Sequence, residues 1–261
     1  MTTTETGSVL STRLRRSDGG LALVPYLMAG HPDRKTTVET GRRLAGSGAA
    51  VVELGMPYSD PLADGPVIQH AGQRALDAGT TTEGCLEVAA EIAAEHAAPV
   101  VLMTYLNPVL AYGVREFARD AAQAGVSSVI LPDLAVEESA TVTGELTAAG
   151  LDPVFLVAPT SSEERAAAIC GASRGFVYAV TLTGITGNRD TMPTGVGDVL
   201  ALANRHTSLP VAAGFGISTP RHLEQLRGHA DAAVVGSAIV AEIEAGRDPV
   251  GLVKELLTAC G

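Results

Sequence analysis

Eight short apolar runs, separated by longer amphipathic stretches, constrain this 261-residue chain more than any other feature. They are Leu21 to Met28, Ala50 to Leu54, Pro99 to Met103, Ser127 to Leu131, Pro153 to Val157, Gly175 to Thr181, Leu209 to Ala213 and Asp231 to Val235. Runs this short and apolar fit strands buried on both faces of a parallel sheet. The stretches between them carry helix-start signals. Ser161 and Glu164 precede Arg165 to Ile169, and Thr219 with Pro220 precedes His222 to Leu226. No Pro/Gly/Ser linker or shift in composition interrupts the alternation, which predicts one α/β domain over residues 1–261. The length is close to the roughly 250 residues typical of a (β/α)8 TIM barrel, which is preferred over an open doubly wound sheet. Extra helices are expected at the N-terminus and after the second strand, the latter over Val67 to Leu76 and from Thr80 and Glu83 to about His96. Met1 to Gly7 reads as a frayed tail rather than a signal or transit peptide.

Composition narrows the chemistry. A formal net charge of −11 gives no basic stripe for nucleic acid and no attraction to an anionic membrane surface. No apolar run reaches the roughly 18 residues of a membrane span. Cys85, Cys170 and Cys260 have neither metal-type spacing nor a disulfide framework, which suits a reducing cytoplasm and idle, buried thiols. Lys35 and Lys254 are the only lysines, both on predicted outer helices, so a Schiff-base aldolase or lysine-bound pyridoxal phosphate has no candidate residue. His31, His70, His96, His206, His222 and His229 are scattered without a convergent carboxylate set, and a surface helix or loop is the expected place for each.

Barrel enzymes carry their chemistry at the C-terminal ends of the strands, so polar residues that break an apolar run there matter most. Glu53 ends the run from Ala49 to Val52, where desolvation raises a carboxyl pKa and suits it to acid/base work, although a carboxylate paired at the rim fits the same position. Asp60 and Asp64 lie in the Pro- and Gly-rich loop Pro57 to Pro66, which can return a carboxylate over the strand end or use it as a turn cap. Tyr26, Tyr105, Asn107, Asp133 and Tyr178 are the other strand-end polar groups. Three glycine turns follow the last strands: Gly184-Ile185-Thr186-Gly187, Gly214-Phe215-Gly216-Ile217-Ser218 and Gly236-Ser237. Such turns let backbone N–H groups approach an anion, and a helix starting at Gly236-Ser237 adds its positive dipole end. A phosphate handle beside a carboxylate-only site cleaves a carbon–carbon bond only if the substrate carries its own electron sink, as an indole ring does.

The segment ELGMPYSDPLADGP, Glu53 to Pro66, resembles the signature of the tryptophan synthase α subunit family. PYLMAGHP at Pro25 to Pro32, LMTYLNPV at Leu102 to Val109, LPDLAVEES at Leu131 to Ser139, TGITG at Thr183 to Gly187, GFGIS at Gly214 to Ser218 and GSAIV at Gly236 to Val240 extend the likeness along the chain. The resemblance implies retro-aldol cleavage of indole-3-glycerol phosphate to indole and glyceraldehyde 3-phosphate. It implies Glu53 as the acid/base and Asp64 as the acceptor of the indole N–H. Tyr26, Tyr105 and Tyr178 become substrate contacts, and Thr186, Gly187, Gly214, Phe215, Gly216, Gly236 and Ser237 surround the phosphate. Gly184 to Asp198 resembles the family's closing loop. Tyr26, Tyr58 and His31 depart mildly from the family's usual residues, and none removes a reacting group. The resemblance also implies an α2β2 partner, a β subunit that carries pyridoxal phosphate, with no cofactor on this chain. Pro57, Asp60, Asn107 and Asp133 would form the contact. A free-standing indole-releasing lyase, a phosphosugar isomerase barrel such as phosphoribosylanthranilate isomerase, and a non-catalytic activator of a β subunit are the alternatives.

Overall fold

A computed structural model describes residues 8–16, 18–94, 98–180, 195–214 and 216–261. The strands are β1 (Ala22–Met28), β2 (Val52–Gly55), β3 (Val100–Met103), β4 (Val126–Ile130), β5 (Asp152–Val154), β6 (Leu156–Val157), β7 (Val177–Val180), β8 (Val211–Gly214) and β9 (Ala232–Val235). Every strand pairing is parallel, in the order β5-β4-β3-β2-β1-β9-β8-β7-β6. The two strands at the ends of that order are consecutive in sequence and separated only by Phe155, so the sheet closes on itself. The fifth of the eight expected strands is therefore broken in two. Phe155 N–H donates to the Ser173 hydroxyl at 3.2 Å instead of to a ladder carbonyl, and Pro153 has no N–H to give.

Around the sheet run α1 (Val9–Leu14), α2 (Arg34–Ala45), α3 (Pro66–Asp77), α4 (Thr82–Ala93), α5 (Leu106–Tyr112), α6 (Val114–Gln123), α7 (Ala140–Ala148), α8 (Glu163–Ala172), α9 (Val196–His206), α10 (Pro220–Leu226), α11 (Ser237–Glu244) and α12 (Pro249–Ala259). The expected N-terminal helix is α1, and α3 and α4 are the pair after the second strand. Two caps fall one residue later than expected. Ser162 and Thr81 accept the helix N–H groups, while Ser161 Oγ is already bonded to Ala158 N–H at 3.1 Å.

Strand periodicity of two divides the apolar residues between two cores. Ala22, Val24, Tyr26 and Met28 of β1 join Val101, Met103, Ile130, Tyr178, Ala212 and Val234 inside the barrel, and Leu10 and Leu14 of α1 pack with them. Leu21, Leu23 and Leu27 point outward into the layer between sheet and helices, with Leu54, Leu102, Phe117 and Leu200. Among the described residues no helix is long and apolar enough to cross a membrane. All three cysteines are buried and unbridged.

Candidate active site

Glu53 occupies an inward position of β2, beside Tyr26 of β1 and Val101 of β3 in the ladder. The alternation that puts Val51 in the inner core puts a carboxyl two residues on in the same layer. It is 1% exposed, and Oε2 has no hydrogen-bond partner among the described residues. Burial, helped by the negative charge of Asp64, pushes its pKa up to about 8. Near neutrality Glu53 is predominantly a carboxylic acid.

Asp64 is brought over the strand end by a loop bonded to its surroundings. Its N–H donates to Pro61 O at 3.1 Å, Gln69 Nε2 donates to its carbonyl at 2.9 Å, and Ala63 N–H donates to Tyr105 Oη at 3.1 Å. Burial raises the Asp64 pKa to about 6, against the lowering effect of a hydrogen bond from Tyr105. The two carboxyls thus sit on either side of neutrality, one mostly protonated and the other mostly ionised.

Both face a cavity of about 350 Å³. Tyr26, Tyr178, Ile68, Met103 and Val234 give it an apolar wall of suitable size for a bicyclic aromatic ring, and Gly216, Gly236 and Ser237 form another part of the lining. The first helical residue of α11 is Ser237, so unpaired N–H groups and the positive end of its dipole lie at that edge. Two glycines set the aromatic walls. A Cβ on Gly55 would overlap the Tyr26 hydroxyl, and one on Gly214 would overlap that of Tyr178. Burial, reinforced by the nearby carboxylates, raises both phenol pKa values well above the ordinary tyrosine value.

Of the residues singled out in the sequence, Tyr26, Glu53, Asp64, Tyr178, Gly216, Gly236 and Ser237 line this one cavity. Tyr105 stands behind Asp64 as a support for its loop, and Gly214 lies under Tyr178. Thr186, Gly187 and Phe215 lie outside the described residues, as do His96 and residues 184–194 of the glycine-rich loop. Ile68, Met103, Val234 and Gly55 were not singled out. Inward alternation from Glu53, Tyr178 and Tyr26 was the available signal for the strand residues, whereas Ile68 required knowledge of how α3 docks. The expectation of surface histidines fails for His31 and His222, each 3% exposed. His222 Nδ1 accepts the Ser218 N–H at 3.2 Å, holding the turn after β8.

Of the four residues expected to meet a partner, Pro57 and Asp60 belong to the Asp64 loop, while Asn107 and Asp133 bond to Tyr58 and to the start of α5. Pro57 is half-buried at the base of the loop, and Asp60 is exposed with an oxygen 2.6 Å from Ser59 Oγ. Asn107 Nδ2 donates to Tyr58 Oη at 3.2 Å, and Tyr58 stacks on Tyr105 with centroids 5.1 Å apart. Asp133 accepts the Leu106 N–H at 2.9 Å, so it also caps the start of α5.

The family model described as "Tryptophan synthase alpha chain" matches residues 13–261. A tryptophan synthase alpha chain from Prochlorococcus marinus is 45% identical, covering 98% of this chain and 96% of that one. One from Synechococcus is 48% identical, with 86% and 84% covered. Among solved structures, a chain of Mycobacterium tuberculosis tryptophan synthase superposes with a TM-score of 0.90 at 36% identity, covering 97% of this chain and 98% of its own. A chain from the tryptophan synthase α2β2 complex of the hyperthermophile Pyrococcus furiosus, a structure concerned with mutual activation, gives 0.85 at 38% identity, with 92% and 98% covered.

Proposed function

The chain belongs to the tryptophan synthase alpha chain family, whose lyase half-reaction cleaves indole-3-glycerol phosphate, and from that premise we propose the roles of its own residues in that reaction. Membership favours this reading over the phosphosugar isomerase. The indole ring lies between Tyr26, Tyr178 and Met103, with its N–H donating to the Asp64 carboxylate, while the phosphate meets the N-terminus of α11 at Gly236 and Ser237. Glu53 donates its proton to indole C3. The positive ring nitrogen so formed is stabilised by Asp64. Glu53, now a carboxylate, takes the proton from the side-chain hydroxyl as the carbon–carbon bond breaks. The bonding pair returns to the ring, the oxygen becomes the aldehyde of glyceraldehyde 3-phosphate, and Glu53 is again protonated.

The observation that carries these roles is the pair of carboxyls on one cavity with pKa values of about 8 and about 6. Neither step calls for a cofactor on this chain, and both lysines are on outer helices, α2 and α12, rather than on the cavity lining. The single domain acts in the cytoplasm with a pyridoxal-phosphate-bearing β subunit as α2β2. The partner docks on Pro57, Asp60, Asn107 and Asp133. Leu62, 92% exposed in the same loop, and Leu110, 52% exposed one turn after Asn107, supply apolar contact there. The test is indole release by wild type, Glu53→Gln and Asp64→Asn, each with and without the β subunit. Loss in both variants and acceleration of wild type by the partner are expected. Full activity in either variant removes its assigned role, and a wild type equally fast alone supports a free-standing lyase.

A further inference from the structure

Glu244, the last residue of α11, is outside the cavity and has no role in the chemistry above, yet three elements meet at its carboxylate. Oε1 accepts a hydrogen bond from Arg74 Nη1 of α3. Oε2 stands 2.9 Å from His31 Nε2 in the loop after β1. His70 Nδ1, also on α3, lies 3.9 Å from Oε1. The His31 side chain is 1% exposed and neither ring nitrogen makes a hydrogen bond of good geometry among the described residues, so the 2.9 Å approach of Nε2 to Glu244 is a close polar contact for a buried imidazole. Burial lowers the His31 pKa while the charge of Glu244 opposes that shift.

Two of these elements, α3 and α11, begin at the active site and reach Glu244 with their later residues, and the loop that carries His31 leaves the active-site end of β1. β1 carries Tyr26, α3 begins at Pro66 directly after Asp64 and Gly65, and α11 begins at Ser237 after Gly236. α3 and α11 pack against each other. At 1.5 Å per residue, an eight-residue helix is a lever of about 12 Å, so slack at Glu244 moves the opposite end of α11 relative to α3.

We propose that Glu244 is a positioning residue for the lyase reaction: by fastening α11 to α3 and to the loop after β1, it fixes the span between Asp64 and the phosphate-binding end of α11. The inference rests on the lyase reading above. A ligand that reaches both ends gains affinity from their fixed separation, whereas a ligand that occupies one end does not. Glu244 therefore matters to the whole substrate and little to its fragments.

The full-length chain provides the test, with Glu244→Ala, Glu244→Gln and Arg74→Gln. Glu244→Ala is expected to raise KM for indole-3-glycerol phosphate about tenfold with kcat within about threefold of wild type. Inorganic phosphate and indole, bound separately, are expected to keep dissociation constants within about twofold. Glu244→Gln keeps an acceptor for one donor and falls between wild type and Ala. Arg74→Gln leaves Glu244 and His31 in place, reproduces the same split more weakly, and carries the test if the Ala variant does not fold. An unchanged KM overturns the proposal, as does equal weakening of phosphate, indole and substrate, which is general loosening. A wild type that releases no indole instead overturns the lyase reading.

Discussion

Glu53 takes a place in the inner layer of the barrel where its neighbours are Tyr26 and Val101, and its usefulness comes from what that location costs. Desolvation makes the charged form unfavourable, so the folded protein binds the Glu53 proton more tightly than the unfolded chain does. The stability supported by the neutral form is intact below about pH 4.5 and is lost as pH rises through about 8. A glutamine escapes that loss. Glu53→Gln is expected to be more stable than wild type at pH 8 by about 1–3 kcal/mol while being catalytically disabled, a result that denaturant titration at pH 5 and pH 8 would check through the difference between the two. Gly214 illustrates the converse, a residue whose value is the space it leaves. Gly214→Ala pushes the Tyr178 ring into the cavity, and a tenfold or greater loss in kcat/KM with little change in melting temperature is expected, as a ring moved by about 1 Å misplaces the substrate.

The elements that matter most are those that return to the cavity from outside the sheet. The loop carrying Asp64 owes its position to Tyr105, whose hydroxyl accepts from Ala63 N–H and bonds the Asp64 carboxylate. Because that bond lowers the Asp64 pKa, Tyr105→Phe is expected to move the acid limb of the pH profile for indole release upward from about 6. An unmoved limb would detach Tyr105 from Asp64. At the opposite edge, an aspartate in place of Ser237 sets a negative charge against an anion at the start of α11. Ser237→Asp should raise KM for the phosphorylated substrate by tenfold or more and leave binding of free indole nearly unchanged. Sequence pattern located these elements well where a strand or helix period was long enough to see. The family resemblance, rather than the pattern, assigned Tyr105 and Gly214 to the substrate, and that Tyr105 bonds the Asp64 loop while Gly214 leaves room for the Tyr178 ring depends on loop path and packing that periodicity does not encode. Ser162 and Thr81 were missed as caps for a similar reason, since two adjacent hydroxyls satisfy the same pattern and backbone direction decides between them.

For the molecule as a whole, the alternation of eight apolar runs with amphipathic stretches was enough to specify a closed parallel barrel, because a parallel sheet buried on both faces leaves few other solutions. The break at Phe155 was not legible, as a side-chain hydroxyl eighteen residues away, beyond β6 and α8, decides it. Nor were the buried His31 and His222, whose partners Glu244 and the Ser218 N–H are distant or main-chain groups. The proposed partner face follows from the same architecture: the β2 loop and α5 carry Asp60, Leu62, Asn107 and Leu110. Leu62→Lys is expected to weaken co-elution with a β subunit on size exclusion while the chain alone keeps its melting temperature. The central claim is that one buried carboxyl delivers and retrieves the proton while the other stays ionised. The pH dependence of kcat/KM for indole release from indole-3-glycerol phosphate tests it most directly, comparing wild type with Glu53→Gln. A bell with limbs near about 6 and about 8 is expected for wild type, and a rate at least about 100-fold lower without the upper limb for Glu53→Gln. A Glu53→Gln variant that retains the wild-type rate and the same upper limb would contradict it.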